Sequence, residues 1–430
     1  MTPGTHTAKT AKPLALIGHT PSASRRRALA MTFSAAAALL VALSSHKAHA
    51  ASDTPSWAEL EQAARGQTVY FNAWGGGERI NRYLRWVAQQ VDTRYGVKLV
   101  HVKVADISET IGRVRGEIAA GKQTGGSADL LWVNGENFAT LKREGLLFGP
   151  FAQSLPNFAL VDTVGKPTTL KDFGETTDGL ESPWGMAQLS FYADKQLLPT
   201  PPRNAAQLAA LAAQQPGRIT YPRPPEFHGT TFLKQLLLEL NPDRTALDQP
   251  VTDAAFAQAT QPLWAYLDAL HPNLWRGGKQ FPSSLAQIAQ GVSDRSLLLG
   301  LTFNPSEASA EVAAGTLPTS TYTYQHTGGT IGNTHFVAIP KNANAPQGAQ
   351  VVANFLLSPM AQAHKSDIRV WGDPTVLDTD RLDSAGKAAF AKAAAGNKGG
   401  ALLAPAPTLA EPHSSWVAAL EQAWTRRYAQ

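Results

Sequence analysis

Acids and aromatic rings recur together in the loops of this 430-residue chain: Trp74 with Glu78, Tyr221 ahead of Glu226, and Phe303 ahead of Glu307, with Trp184 and Trp371 further along. Aromatic faces beside carboxylates suit a cationic organic group, held by cation–π attraction and by direct pairing. A sugar stacked on tryptophan would leave the same composition, and Arg79 and Arg223 would suit an acidic ligand instead. Any one of these rings is more often a packing residue than a ligand contact. Gly75-Gly76-Gly77, followed by a helical pattern, could aim backbone N–H groups at an anion. The competing role is a tight turn in which glycine supplies positive φ. Glu78 at the helix start is favoured by the dipole whatever the ligand. Asn134, Glu136 and Asn137 make a second polar loop, and two such loops count for more than one. Glu226 and Glu307 could also serve as the acid and base of a secreted hydrolase. Nothing in the sequence fixes their separation, so this is the alternative class.

Other apparent motifs do not hold. Gly116 to Lys122 matches the start of a phosphate-binding loop, but Gln123 stands where magnesium needs Ser or Thr, and the stretch ends a helix. Ser384-Ala385-Gly386-Lys387 has the S-x-x-K spacing with no K-T-G after it. The histidines show no H-x-x-x-H spacing, so neither a metal nor another cofactor is expected.

The loops need elements to hold them. Gln67 to Trp74 reads as a strand, Ile80, Tyr83, Leu84, Val87 and Val91 as one helix face, and Gly96 as its stop. Val97 to Val104 is a second strand. Asp106 and Glu109 are spaced as a capping box before a second helix. Ala128 to Val133 and Glu136 to Glu144 complete a β-α-β-α-β-α order, which implies a parallel sheet with ligands beyond its carboxyl ends. Those ends are the Trp74 and Asn134 loops. Later strands are expected at Gln188 to Tyr192, Arg218 to Tyr221, Ser296 to Phe303 and Phe336 to Pro340, with helices between and after them.

The first fifty residues have a different character. Arg25-Arg26-Arg27, an apolar run from Ala28 to Leu43, and Ala48-His49-Ala50 form a secretory signal peptide, with a twin-arginine resemblance at Ser24-Arg25-Arg26. The run is too short to span a bilayer, which takes about 20 residues. This segment holds six basic residues and no acid, so its removal leaves 32 basic against 33 acidic residues. No basic stripe for nucleic acid remains. The chain has no cysteine, so neither disulfides nor an N-terminal lipid anchor is available. The expected product is a soluble periplasmic protein starting near Ala51.

The mature chain resembles the periplasmic solute-binding proteins of ABC importers, in particular a YnjB-like subgroup. The resemblance rests on Phe71-Asn72-Ala73-Trp74-Gly75-Gly76, on 129–138 (DLLWVNGENF), on 145–150 (GLLFGP), on 178–185 (DGLESPWG), and on Phe336-Val337-Ala338-Ile339-Pro340. It implies an α/β, two-lobed fold with a ligand cleft between the lobes: lobe one from 51–184 and 331–430, lobe two from 185–330. It also implies a monomer without catalytic groups that delivers a small polar solute to a membrane permease. A slight preference falls on a cationic solute. The residues expected to face the cleft are Trp74, Glu78, Asn134, Glu136, Trp184, Gln188, Glu226, Asn304, Glu307 and Asn333.

Overall fold

Three short runs of β-branched and aromatic residues form the first strands: β1 (Thr68–Trp74), β2 (Lys98–Val104) and β3 (Leu130–Val133). The structure, a computed structural model, describes residues 55–395, 402–403 and 406–429; the expected leader lies outside the described residues. Between β1 and β2 runs the helix Glu78–Tyr95, whose Ile80, Tyr83, Leu84, Val87 and Val91 are buried at helical spacing. Gly96 ends it in the left-handed region at φ 65°, where a side chain would be strained. Asp106 caps the next helix, Ile107–Ala119, by accepting the Ser108 N–H at 2.8 Å. Glu109 does not complete the box. β1 pairs in parallel with β2, from Thr68↔Lys98 to Trp74↔Val104, and with β3. The expected parallel sheet is present, and its carboxyl ends share one edge.

Beyond it, β4 (Lys171–Asp172) and β5 (Glu175–Thr176) form a small hairpin. The chain then departs from expectation. The stretch where lobe two was expected to begin is a strand, β6 (Glu181–Gln188), and β7 (Ser190–Asp194), close to the strand expected over Gln188 to Tyr192, follows after one residue. β7 lies between β8 (Leu299–Thr302) and β9 (Thr321–Tyr324), forming a second sheet. β10 (Thr330–Ala338) is also longer than expected, because the Gly-rich 328–335 stretch mostly belongs to it. It pairs antiparallel with β6 and β3, and in parallel with β11 (Thr408–Leu409). Pro183 in β6 is opposite Phe336, where the register shifts after His335, so the missing N–H falls at a bulge. The strand expected over Arg218 to Tyr221 is extended chain outside any ladder.

Each sheet has its own core. The first gathers Phe71, Tyr83, Val87, Trp184 and the helix Pro346–Leu356. The second gathers β7, the helices Phe227–Leu240 and Asp253–Leu270, and Trp416, Leu420 and Trp424. Those last residues belong to the terminal helix Ser415–Tyr428, which was expected on lobe one. It packs with lobe two because its tryptophans have partners there: Trp424 Nε1 donates to Tyr221 Oη at 2.8 Å, and that hydroxyl also meets His271 Nε2 at 2.7 Å. Trp184 is completely buried, edge-on to Trp132 at 4.9 Å between centroids, and also packed on Tyr83 and Trp371. Trp184→Ala should therefore cost about 3–5 kcal/mol of stability, read by denaturant unfolding, as expected for removing a core tryptophan.

Candidate functional site

The carboxyl ends of β1, β2 and β3 present Trp74, Asp106, Asn134 and Glu136. Trp74 is 44% exposed, and its indole packs close against the glycines after it. A Cβ at Gly76 would come within 2.4 Å of the ring, and one at Gly77 within 3.1 Å. A Cβ at Gly75 would meet the Lys103 stem at 2.6 Å. None of the three has positive φ. Close approach explains this triplet, rather than the expected tight turn. Asn134 is half-buried and its side chain has no protein partner among the described residues.

The facing wall comes from lobe two. Phe227, the first residue of its helix, is 39% exposed and touches Phe303 edge-on at 5.4 Å. Thr230, one turn on, donates to Glu421 of the terminal helix at 2.7 Å. Lys234, a further turn on, is buried, with Nζ 2.6 Å from Glu411 and 4.5 Å above the Phe173 ring. Phe173 in turn packs against Gly135, and the neighbouring Asp172 accepts the Gly135 N–H at 2.7 Å. Groups from both walls thus converge beside Glu136.

Their electrostatics show the convergence. Burial raises the Glu136 carboxyl, with Glu411 and Asp106 pushing the same way and Lys234 opposing. Burial also raises Glu421, aided by Glu136 and Asp106 across the gap. Asp172 is pushed up to about 8, again chiefly by burial, with Glu136 and Glu411 adding to it. Glu136 is raised although it is open to solvent, the combination expected at the floor of a concave site.

The expected site residues divide. Trp74, Asn134 and Glu136 sit on the cleft loops. Glu78 points to solvent and pairs with Arg85 at 2.7 Å. Its neighbour Arg79 reaches lobe two instead, 3.3 Å from Glu307 and 2.9 Å from Glu311. That contact brings the Trp74 and Asn304 loops together and occupies one of the two arginines, Arg79 and Arg223, that argued for an acidic ligand. Trp184 is closed to any solute. Gln188 spends its amide on the Ala406 and Pro407 carbonyls, and Asn304 on the Trp371 carbonyl and the Ser306 N–H. Asn333 is buried and donates to Glu411 at 3.2 Å. Glu226 caps its helix through the His228 and Gly229 N–H groups and also holds the His228 ring. With Glu226 committed to a cap and Glu307 to Arg79, the proposed acid/base pair has no support. Asp106, Phe227 and Glu421 were missed. Asp106 carried a cap signal that hid its position, Phe227 follows a proline-rich stretch, and Glu421 lies almost 200 residues from Thr230.

Comparison with known proteins identifies the family and supports the two-lobed fold. Residues 86–395 match the family described as bacterial extracellular solute-binding protein. Protein YnjB of Escherichia coli (strain K12) is 49% identical over 378 residues, covering 88% of this chain and 95% of YnjB. Among solved structures, a putative extracellular solute-binding protein from Bordetella parapertussis aligns with a TM-score of 0.60 at 12% identity, over 84% of this chain and 98% of its own. The periplasmic binding protein AfuA from Actinobacillus pleuropneumoniae, with fructose-6-phosphate bound, gives 0.57 at 14% identity, over 85% and 99%. The spermidine/putrescine substrate-binding protein PotD from Streptococcus pneumoniae gives 0.56 at 13%, over 84% and 96%.

The raised carboxyl of Asp172 has a measurable consequence. Its proton is kept in the folded state and lost in the unfolded state between about pH 4 and pH 8, so this group contributes a fall in stability as pH rises through that window. The limiting slope is about 1.4 kcal/mol per pH unit. Asp172→Asn, which keeps an acceptor for Gly135, should flatten the pH dependence of unfolding across that range.

Proposed function

The chain belongs to the bacterial extracellular solute-binding proteins, and on that premise we propose that it captures a small organic cation between its two lobes. It is the solute-binding component of an ABC transporter, so capture precedes delivery to the membrane permease. One observation carries the choice of cation. Glu136 and Asp106 on lobe one raise the charging cost of Glu421 on lobe two, and none of the three has an ion-pair partner among the described residues; Lys234, already paired with Glu411, opposes the repulsion at Glu136 and Glu421 without pairing with either. A cationic ligand would relieve that repulsion, and it would bind the closed arrangement better than the open one, as capture requires. Trp74 and Phe227, exposed rings on facing lobes, suit the organic part of such a ligand by cation–π contact. The PotD likeness shows a shared fold only, but its name gives a precedent for polyamine capture on that fold.

The proposed contact set is Trp74, Asp106, Asn134, Glu136, Phe227 and Glu421. We assign no catalytic role, and the lobes divide near Gln188 and Ile331, with the terminal helix on lobe two. The protein acts as a monomer in the periplasm after cleavage near Ala50. N-terminal sequencing of exported protein should begin near Ala51; an intact leader on cell-associated protein would refute the cleavage.

Calorimetry against polyamines, thiamine-like cations, sugars and organic acids tests the ligand class. One cationic compound should bind and be recovered chemically unchanged. Glu136→Gln and Glu421→Gln should each weaken it by about tenfold, the effect of losing roughly 1.4 kcal/mol from a charge-assisted contact. Tight binding of an acid or a neutral sugar, unaffected by either substitution, would reject the cation.

A further inference from the structure

Arg79 is oddly placed for the stability of its own helix. It is the second residue of Glu78–Tyr95, where the positive end of the dipole disfavours a cation. Its partners are not on that helix or that lobe. Glu307 and Glu311 stand one turn apart on the helix Glu307–Ala313, whose Ala308 belongs to the second core. Two carboxylates at this spacing repel when no cation lies between them. Arg79 answers both, with one guanidinium nitrogen on each, and its side chain is only 17% exposed. Burial raises the Glu307 carboxyl and Glu311 raises it further, while Arg79 gives the largest opposing effect and His228 of the same lobe a smaller one. The lobes also meet beside this contact. Asn304 Nδ2 reaches the Trp371 carbonyl at 3.4 Å, and Gly372 packs against Ser306.

We propose that Arg79 is a positioning residue for solute capture: it clasps the Glu307/Glu311 pair across the cleft and sets how far the ligand-free protein closes. Opening the lobes removes the guanidinium and leaves two like charges facing each other on one helix. The clasp therefore biases the empty protein toward closure, and a solute that binds the closed form gains affinity from that bias. The proposal draws its purpose from the capture reading above, but closure itself is measurable without any solute.

The natural chain has no cysteine, so Asp92→Cys on lobe one and Ala213→Cys on lobe two, both exposed positions, accept a dye pair cleanly. Energy transfer is then compared in ligand-free protein. Arg79→Glu should lower it, Arg79→Gln should lower it less, and Arg79→Glu with Glu311→Arg should restore it. Added salt should lower it in the parent but not in Arg79→Gln. Equal transfer in all variants, or a loss that the swap does not recover, overturns the clasp whatever the protein captures. Circular dichroism confirms that each variant is folded. Once a solute is in hand, Arg79→Gln should weaken it by about fivefold, the lower end of coupling between distinct sites; an unchanged affinity would also count against the proposal.

Discussion

The antiparallel pairing of β6 with β10 is the constraint on which the rest of the molecule depends. Seven residue pairs run from Gly332↔Gln188 to Ala338↔Glu181, and the chain joins these strands to the second sheet through β7 directly after β6 and β9 just before β10. At the crossing, Gln188 N donates to the Phe303 carbonyl and Leu189 N to the Ile331 carbonyl, so the ladder hands its backbone hydrogen bonds on to lobe two. A third passage, the segment at Ala406 and Pro407, is held to the first by the Gln188 amide. Because side chains alternate along a strand, the pair sends Trp184 into the first core and Ala187 and Leu189 into the second. The cleft is what remains between two bodies joined this way.

Charges in that gap follow a simple division. Buried or half-buried acids that already have a cation are structural: Glu411 has Lys234, Glu307 and Glu311 have Arg79, and Asp373 has Lys365 and His335. Removing one partner of a buried pair leaves an uncompensated charge, which is why such groups cannot easily serve a passing ligand. Asp106 and Glu136 on lobe one and Glu421 on lobe two have no ion-pair partner of their own among the described residues; Lys234 acts on Glu136 and Glu421 but is paired with Glu411. This separates them from the other acids, more than their number does.

Much of the first lobe was legible in the sequence because its elements are local. The helix Glu78–Tyr95 has a regular apolar face and a glycine stop, and β1 to β3 are short apolar runs with polar or glycine ends. The crossing strands were illegible for the opposite reason. Pro183 and the glycines of 328–335 look like breakers, and only the partner strand, some 150 residues away, satisfies their backbone. At the proposed site, Trp74, Asn134 and Glu136 stand where the sequence placed them, on loops that follow strand ends. Choosing Glu78 over Arg79 failed because a dipole argument describes one helix and ignores what stands opposite. Trp184 was misassigned because burial of an aromatic depends on the cluster around it, here Tyr83, Trp132 and Trp371. Glu421 had no local signal at all; its role comes from a terminal helix that returns to lobe two.

The most direct test is a crystal structure of the protein purified with the solute it carries from the periplasm. Density for one small molecule should lie between Trp74 and Phe227, with a positively charged group within hydrogen-bond distance of Glu136 or Glu421. A solute bound outside this gap, or an anionic or neutral one held without contact to either carboxylate, would contradict the account.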